Sequence, residues 1–240
     1  MLPDIHLIRL EYGKANAIDG RFVSALASEL DRALESGAKA VILTGREAFF
    51  SAGLDLRGLP EDREEMASFL DEFEKLNQKL LELPLPLIAA VNGHAIAGGC
   101  ILASTGDVRI GAAGTYKIGV SEVSLGIVFP ASAFEIMRAT LAPRAVSEVL
   151  LGGRLLTPEL AVEAGILHRV VPPDELLVEA EAAARELGEK PPVAFRHSKL
   201  ALRAPLLERI EKTRAESRRL FLETWFSPEV VERRKAMFSK

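Results

Sequence analysis

The stretch that indicates the fold class reads LIAAVNGHAIAGGC, at residues 87–100. Its first five residues form a short, wholly apolar run, which is typical of a buried strand. An Asn-Gly turn follows, and the glycine pair Gly98-Gly99 then predicts the start of a helix. A strand, a turn and a helix within so short a stretch indicate an α/β core.

Short strands alternate with helices on both sides of this stretch. Strands are predicted at residues 5–11, 40–44, 107–112, 116–120 and 167–171, and helices at 20–37, 61–83 and over most of the chain from Ala131 onward. The helix at 20–37 carries an apolar stripe formed by Phe22, Leu26, Leu30 and Leu34. Residues 46–60 show neither the helical nor the strand periodicity of apolar residues and are predicted to form a loop.

Composition and charge narrow the class of protein. The chain has 240 residues, of which 48% are hydrophobic and 27% charged, so it can bury a sizeable core. Its net charge of −4 argues against non-specific nucleic-acid binding, which needs a basic face. Cys100 is the only cysteine, so no intrachain disulfide is expected. The mixed N-terminal residues resemble neither a signal peptide nor a membrane span, and a cytoplasmic location is expected.

Several common functional motifs are missing from the sequence. It contains no GxGxxG after a strand, no GxxxxGK[ST], no HExxH and no GxSxG, so dinucleotide, P-loop, zincin and serine-hydrolase functions have no support. The four histidines are scattered without the spacing of metal ligands, and no metal site is predicted.

Three local features carry candidate chemistry. The first is the loop FSAGLDL at residues 50–56. Its small residues allow close approach of a ligand to the backbone and leave the amide of Leu54 available as a donor. The alternative is an ordinary connection between elements.

The second feature is the glycine pair itself. Amides at a helix N-terminus point towards an incoming anion. The alternative is tight packing of that helix against a neighbouring strand. Cys100 follows directly, and without a partner base in the sequence it is predicted to fill space.

The third feature is Glu122, a lone carboxylate between an apolar strand and the apolar residues 127–129. Burial there would raise its pKa and make it a competent base near neutral pH. The alternative is a solvated glutamate in a turn.

Taken together and in this order, these segments resemble the crotonase (enoyl-CoA hydratase/isomerase) superfamily. The likeness starts at KANAI, residues 14–18, includes the three features above, and continues through residues 147–154 and 161–172. The resemblance implies an α/β crotonase (ClpP-like) fold, a spiral of ββα units with a C-terminal helical trimerisation region. Residues 1–190 would form the core, and residues 191–240 a helical oligomerisation or lid region.

The resemblance also implies a site. The backbone amides of Leu54 and Gly98 would form an oxyanion hole for a thioester oxygen, and Glu122 would be catalytic. Coenzyme A would contact Lys14, Ala15, Ala17, Ala52, Gly53, Asp55, Leu56 and Arg57. An acyl-CoA thioester would be the substrate, with no permanently bound cofactor, no nucleic-acid or membrane partner, and a homotrimer or dimer of trimers as the assembly.

Departures from the hydratase pattern favour one reaction. Hydratases have a second glutamate directly after the Gly-Gly-Cys triplet, where this chain has Ile101. The segments AGGCI and SEVSLGI, with Pro130 eight residues beyond Glu122, are closer to mitochondrial-type Δ3,Δ2-enoyl-CoA isomerases. Hydration, thioester hydrolysis or retro-Claisen cleavage, and acyl-CoA binding without catalysis, remain the alternatives.

Overall fold

Parallel strand pairing organises the chain. The computed structural model describes residues 4–237, in which eight strands form two sheets. The strands are β1 (Ile5–Arg9), β2 (Ala40–Thr44), β3 (Phe49–Ser51), β4 (Leu87–Val91), β5 (His94–Ile96), β6 (Val108–Ala112), β7 (Ile118–Gly119) and β8 (Arg169–Val171). One sheet has the order β1-β2-β4-β6-β8 and the other the order β3-β5-β7, and neighbouring strands are parallel in both.

Ten helices surround these sheets within the described residues. They are α1 (Gly20–Glu35), α2 (Arg63–Glu82), α3 (Gly98–Ser104), α4 (Glu122–Leu125), α5 (Ala131–Thr140), α6 (Val146–Gly152), α7 (Pro158–Glu163), α8 (Leu176–Gly188), α9 (Pro192–Trp225) and α10 (Pro228–Ala236). None of them combines the length and apolarity that a membrane span requires.

The element order contains a ββα unit three times over: β2-β3-α2, β4-β5-α3 and β6-β7-α4. In each unit the first strand joins the large sheet and the second joins the small one. Each ββα unit therefore adds one strand to each sheet, as the predicted spiral of ββα units requires.

Alternation along the strands of the large sheet divides the core in two. In β2, Val41 and Leu43 point into the main cluster, whereas Ala40 and Ile42 belong to a second cluster covered by α8. The α8 residues on that cluster include Ala180 and Ala184, whose small side chains allow the helix to lie close to the sheet.

The C-terminal helix α9 packs on α2 and α5. Leu206, Ile210, Phe221 and Trp225 are buried in the same cluster as the core of the ββα units. Packing on its own core therefore accounts for these four residues, and the predicted role of the helix in oligomerisation stays a prediction.

Three details of the sequence prediction are wrong. Residues 46–60 are not all loop, since they include β3, and β5 was not expected at all. Three-residue strands are too short to show alternation and form because a neighbouring strand pairs with them. In α1 the buried stripe ends at Ala33, and Leu34 is 40% exposed. With 3.6 residues per turn, the buried face after Leu30 is continued by the residue three positions on, Ala33, and not by Leu34.

A buried ion pair anchors α9 to the start of β6. The Nζ atom of Lys199 lies 2.7 Å from Oδ2 of Asp107 and also donates to the carbonyl of Leu85 at 3.0 Å. The two side chains are only 4% and 14% exposed. Burial lowers the pKa of Lys199, and the Asp107 carboxylate opposes that shift.

We expect Asp107→Asn to lower the free energy of unfolding by about 3 kcal/mol, because the buried ammonium loses its counter-charge. Asp4→Asn is the matched control: Asp4 pairs with Lys39 at 2.9 Å, but both side chains are more than half exposed, and the loss there should be under about 1 kcal/mol. Urea unfolding of both variants measures the difference. Equal losses would show that the buried pair is no more important than the surface pair.

Candidate active site

The carboxyl ends of β3, β5 and β7 meet at one edge of the small sheet, as parallel strands must. Ser51 is aligned with Ala95, and Ile96 with Gly119. The N–H of Ala97 donates to the carbonyl of Gly119 at 2.8 Å. This bond connects the turn after β5 to the end of β7. The three segments singled out in the sequence begin at this edge, where parallel sheets commonly bind ligands.

These segments surround a cavity of about 100 Å³. Its lining comes from the loop after β3, the β5–α3 corner, helices α2, α4 and α5, and the C-terminal helices. The lining residues are Ala52, Leu54, Leu56, Phe73, Ile96, Ala97, Gly98, Ile101, Ser121, Glu122, Leu125, Ile127, Pro130, Ala133, Phe221, Trp225 and Met237. Leu54, Gly98 and Glu122 are thus brought together in one cavity.

The loop after β3 is held by the segment at residues 15–18. Ala52 donates to the carbonyl of Ala15 at 3.0 Å, Ile18 donates to that of Gly53 at 2.8 Å, and Asp55 donates to that of Ile18 at 2.9 Å. Leu54 therefore forms a parallel bridge with Ile18. In such a bridge the N–H of Leu54 itself points away from the Ile18 segment.

Asn16 anchors this arrangement, although the sequence argument assigned it no role. It is 1% exposed and has a left-handed backbone, with φ of 49°. Its Oδ1 accepts from the N–H of Tyr12 at 2.8 Å and its Nδ2 donates to the carbonyl of Phe50 at 3.1 Å. The hydroxyl of Ser51 donates to the carbonyl of Asn16 at 2.7 Å. Asparagine tolerates this backbone conformation better than most residues, which is the signal the sequence offered.

The glycines Gly98 and Gly99 have different functions. A Cβ atom on Gly99 would lie 2.2 Å from the carbonyl oxygen of Ser51, so this glycine serves the tight packing of α3 on β3. Gly98, in contrast, lines the cavity. The preceding residue, Ala97, has φ of 50° and ψ of −123°, an unfavourable backbone for a residue with a side chain.

Gly53 is also required by packing. Its φ is 86°, and a Cβ atom there would lie 2.7 Å from the carbonyl oxygen of Ile96 and 3.1 Å from the amide nitrogen of Gly98. The sequence argument attributed its small size to ligand approach, and the neighbouring backbone explains it without a ligand. Close contact of the two corners places the amides of Leu54 and Gly98 on one cavity, and within residues 4–237 neither amide donates a hydrogen bond.

Glu122 is buried, not solvated. It is 8% exposed and begins helix α4, and its Oε2 atom has no hydrogen-bond partner among the described residues. Burial raises its pKa to about 7, only partly opposed by the backbone amides of Ser121 and of Glu122 itself. Of the described residues that line the cavity, Glu122 alone is ionisable, and Ile101 lines the same space.

Cys100 is fully buried, and burial together with the charge of Glu122 raises its pKa to about 12. The thiol is therefore protonated at neutral pH, which agrees with its predicted role as a space-filling residue. Within residues 4–237, no group of three or more His, Cys, Asp or Glu side chains is arranged to hold a metal ion.

The residues expected to contact coenzyme A fall into two sets. Ala52 and Leu56 line the cavity, next to Leu54. Lys14, Ala15, Ala17, Gly53, Asp55 and Arg57 lie outside the lining, on the two joined segments. Lys14 and Arg57 are exposed, and the carboxylate of Asp55 accepts from the backbone N–H of Arg57 at 3.1 Å.

Comparison with known proteins identifies the family. Residues 3–239 match the family model described as enoyl-CoA hydratase/isomerase. The chain belongs to the enoyl-CoA hydratase/isomerase family. Its relatives include the 2,3-dehydroadipyl-CoA hydratase of Escherichia coli, 31% identical over 86% of this chain and 80% of the relative, and the carnitinyl-CoA dehydratase of Salmonella arizonae, 37% identical over 78% and 72%.

Among solved structures, human mitochondrial Δ3,Δ2-enoyl-CoA isomerase superposes with a TM-score of 0.92 at 27% identity, covering 98% of this chain and 93% of that one. The predicted crotonase fold is confirmed. The curated relatives are mostly named as hydratases. The comparisons therefore assign the chain to the hydratase/isomerase family and do not choose between the two reactions.

The sequence argument missed the aromatic part of the wall, which is Phe73, Phe221 and Trp225. Phe221 and Trp225 lie within residues 191–240, which were expected to form an oligomerisation or lid region. Their spacing of four residues places them on one face of α9, but the cavity beside that face is formed by other parts of the chain.

Replacement of Glu122 by glutamine should stabilise the protein in a pH-dependent way. Below the ordinary glutamate pKa of 4.5 the carboxyl is neutral in both the folded and the unfolded wild type, so Glu122→Gln should change little. Between 4.5 and about 7 the unfolded chain ionises while the folded one stays protonated, so wild-type stability falls as pH rises. Above that range we expect the variant to be more stable by about 3 kcal/mol.

Urea unfolding across this pH range measures the difference. The exposed Glu186→Gln is the control and should change stability little at any of these pH values. A stability gain of Glu122→Gln that did not vary with pH would contradict the raised pKa.

Proposed function

We propose that this chain is an enoyl-CoA isomerase that moves the double bond of a 3-enoyl-CoA to the 2-position, in the breakdown of fatty acids or related acyl-CoA compounds. The observation that carries the proposal is a single buried carboxylate, Glu122, in an apolar cavity that also contains the amides of Leu54 and Gly98. A carboxyl group with a pKa of about 7 exists in both protonation states at neutral pH.

The proposed reaction uses the same carboxyl group twice. Ionised Glu122 removes a proton from C2 of the 3-enoyl thioester, and the electron pair of that C–H bond delocalises into the thioester carbonyl and the double bond. Glu122, now protonated, returns the proton to C4, and the double bond becomes conjugated. Atoms and charges balance without a cofactor or a water molecule.

The amides of Leu54 and Gly98 would stabilise the dienolate. Both N–H groups lack a partner within residues 4–237, and in a water-poor cavity such donors act most strongly on an oxygen that gains charge. We propose that Lys14, Ala15, Ala17, Ala52, Gly53, Asp55, Leu56 and Arg57 contact the coenzyme A part of the substrate. The joined backbone of residues 15–18 and 52–55 supports this assignment.

Hydration is the second candidate, because the curated relatives are mostly named as hydratases. Ile101 argues against it, since its side chain cannot orient or activate water in the way that a second glutamate does. The cavity lining offers no other ionisable group among the described residues.

We also propose that the chain assembles as a homotrimer or a dimer of trimers, as the family resemblance implies. An apolar groove of about 530 Å³ outside the cavity supports an interface on that face, where Val123 is 43% and Phe134 37% exposed.

A paired ultraviolet assay tests the reaction. With a 3-enoyl-CoA we expect the absorbance of the conjugated thioester to rise, and with a 2-enoyl-CoA we expect it to stay constant. Glu122→Gln should abolish the rise, because the amide cannot accept the C2 proton. Loss of absorbance from the 2-enoyl-CoA at a comparable rate would show hydration and would contradict the inference from Ile101.

Gly98→Pro tests the oxyanion hole. Gly98 is the first residue of α3, so proline there removes no hydrogen bond of the helix, and circular dichroism checks that the variant is folded, because proline restricts the strained backbone of Ala97 before it. Removing this donor should lower kcat by roughly 10²- to 10³-fold. Gly98→Ala keeps the N–H and adds a carbon 3.1 Å from the flexible end of the Ile18 side chain, so it should keep most of the activity. Equal losses of kcat in the two variants would contradict the assignment of the Gly98 amide to the oxyanion hole.

A further inference from the structure

The chemistry of the cavity lining restricts the acyl group. Apart from Ser121 and Glu122, the described lining residues are apolar, and none of them is Lys, Arg or His. A carboxylate at the far end of an acyl chain would therefore enter without a counter-charge, and it would approach the carboxylate of Glu122. Burying an unpaired charge is strongly unfavourable, whereas a methyl group fits such a lining.

The aromatic wall is held in place from behind. Phe73, Phe221 and Trp225 are each at most 1% exposed. The rings of Phe221 and Trp225 are stacked with centroids 5.5 Å apart, and the guanidinium of Arg234 lies 4.0 Å from the centroid of the Trp225 ring. The Nη2 atom of Arg234 also donates to the carbonyl of Trp225 at 3.4 Å. Movement of Trp225 would disrupt these contacts together.

The size of the cavity limits the length of the acyl group. An apolar cavity of about 150 Å³ accommodates benzene, which has six carbon atoms. On that scale the cavity of about 100 Å³ accommodates about four carbons. A longer chain would have to displace the aromatic wall.

We propose that the site selects short, uncharged acyl groups and that Trp225 is the residue that sets the length limit. This inference rests on the proposed acyl-CoA site but not on the isomerase reaction. Binding of saturated acyl-CoA thioesters, which cannot be isomerised or hydrated, therefore tests it separately.

The charge restriction is tested with butyryl-CoA and succinyl-CoA, measured by isothermal titration with coenzyme A as the reference. Both acyl groups have four carbons, the length that the cavity accommodates, and they differ in a terminal methyl group against a terminal carboxylate. We expect succinyl-CoA to bind at least roughly tenfold more weakly than butyryl-CoA. Equal affinities would overturn the restriction and would indicate that a cation outside the lining, such as Arg234 beside the Trp225 ring, reaches the carboxylate.

The length restriction is tested with butyryl-, hexanoyl-, octanoyl- and dodecanoyl-CoA. Each buried CH₂ group contributes about fourfold in affinity where a pocket accepts it. In the wild type we expect the gain to stop by hexanoyl-CoA. A gain that continued to dodecanoyl-CoA would overturn the length limit whatever any variant does.

Trp225→Leu should shift the limit towards longer chains by raising the affinity for octanoyl- and dodecanoyl-CoA relative to butyryl-CoA. Leu202→Ala is the control, because Leu202 lies on the same helix but is 77% exposed, and its profile should equal that of the wild type. Circular dichroism checks that the variant is folded. A folded Trp225→Leu with an unchanged profile would remove Trp225 from the proposal. If coenzyme A and all thioesters failed to bind, the proposed function would fail with it.

Discussion

Parallel pairing of β3, β5 and β7 is the constraint on which the site depends. Each of these strands has at most three residues, yet their carboxyl ends deliver the loop of Leu54, the corner of Gly98 and the turn before Glu122 to one edge. The ββα order places a strand of the small sheet after each of three strands of the large one. The large sheet and its two hydrophobic clusters are stable structures, and they hold the three short strands in alignment.

Close backbone contact is the second requirement, and the small residues of the motifs supply it. Gly53 lies against the corner at residues 96–98, and Gly99 lies against Ser51, where no side chain would fit. The strained backbone of Ala97 is maintained by its hydrogen bond to Gly119. Packing of the backbone thus explains why two amides on separate segments border the same cavity.

Burial of Glu122 links stability to chemistry. Removing the carboxyl from water disfavours its ionised form and raises the pKa to about 7, which costs stability above that pH. The apolar residues that line the same cavity, including Ile101 and the aromatic wall from α9, leave no other ionisable group in the described lining. The proposed role of Glu122 as a single base and the proposed preference for uncharged acyl groups therefore follow from one environment.

The sequence by itself determined the α/β class and the longer strands and helices, because these depend on local periodicity. Through glycine geometry and the resemblance in motif order it also pointed to Gly98 and Glu122, which line one cavity in the structure. Only the tertiary structure decided the strands β3 and β5, the anchoring role of Asn16 and the division of work between Gly98 and Gly99. It also decided that Trp225 borders the cavity. Each of these depends on a partner distant in the chain: a neighbouring strand, the carbonyl of Phe50, the carbonyl of Ser51, and a cavity whose other walls come from several separate segments.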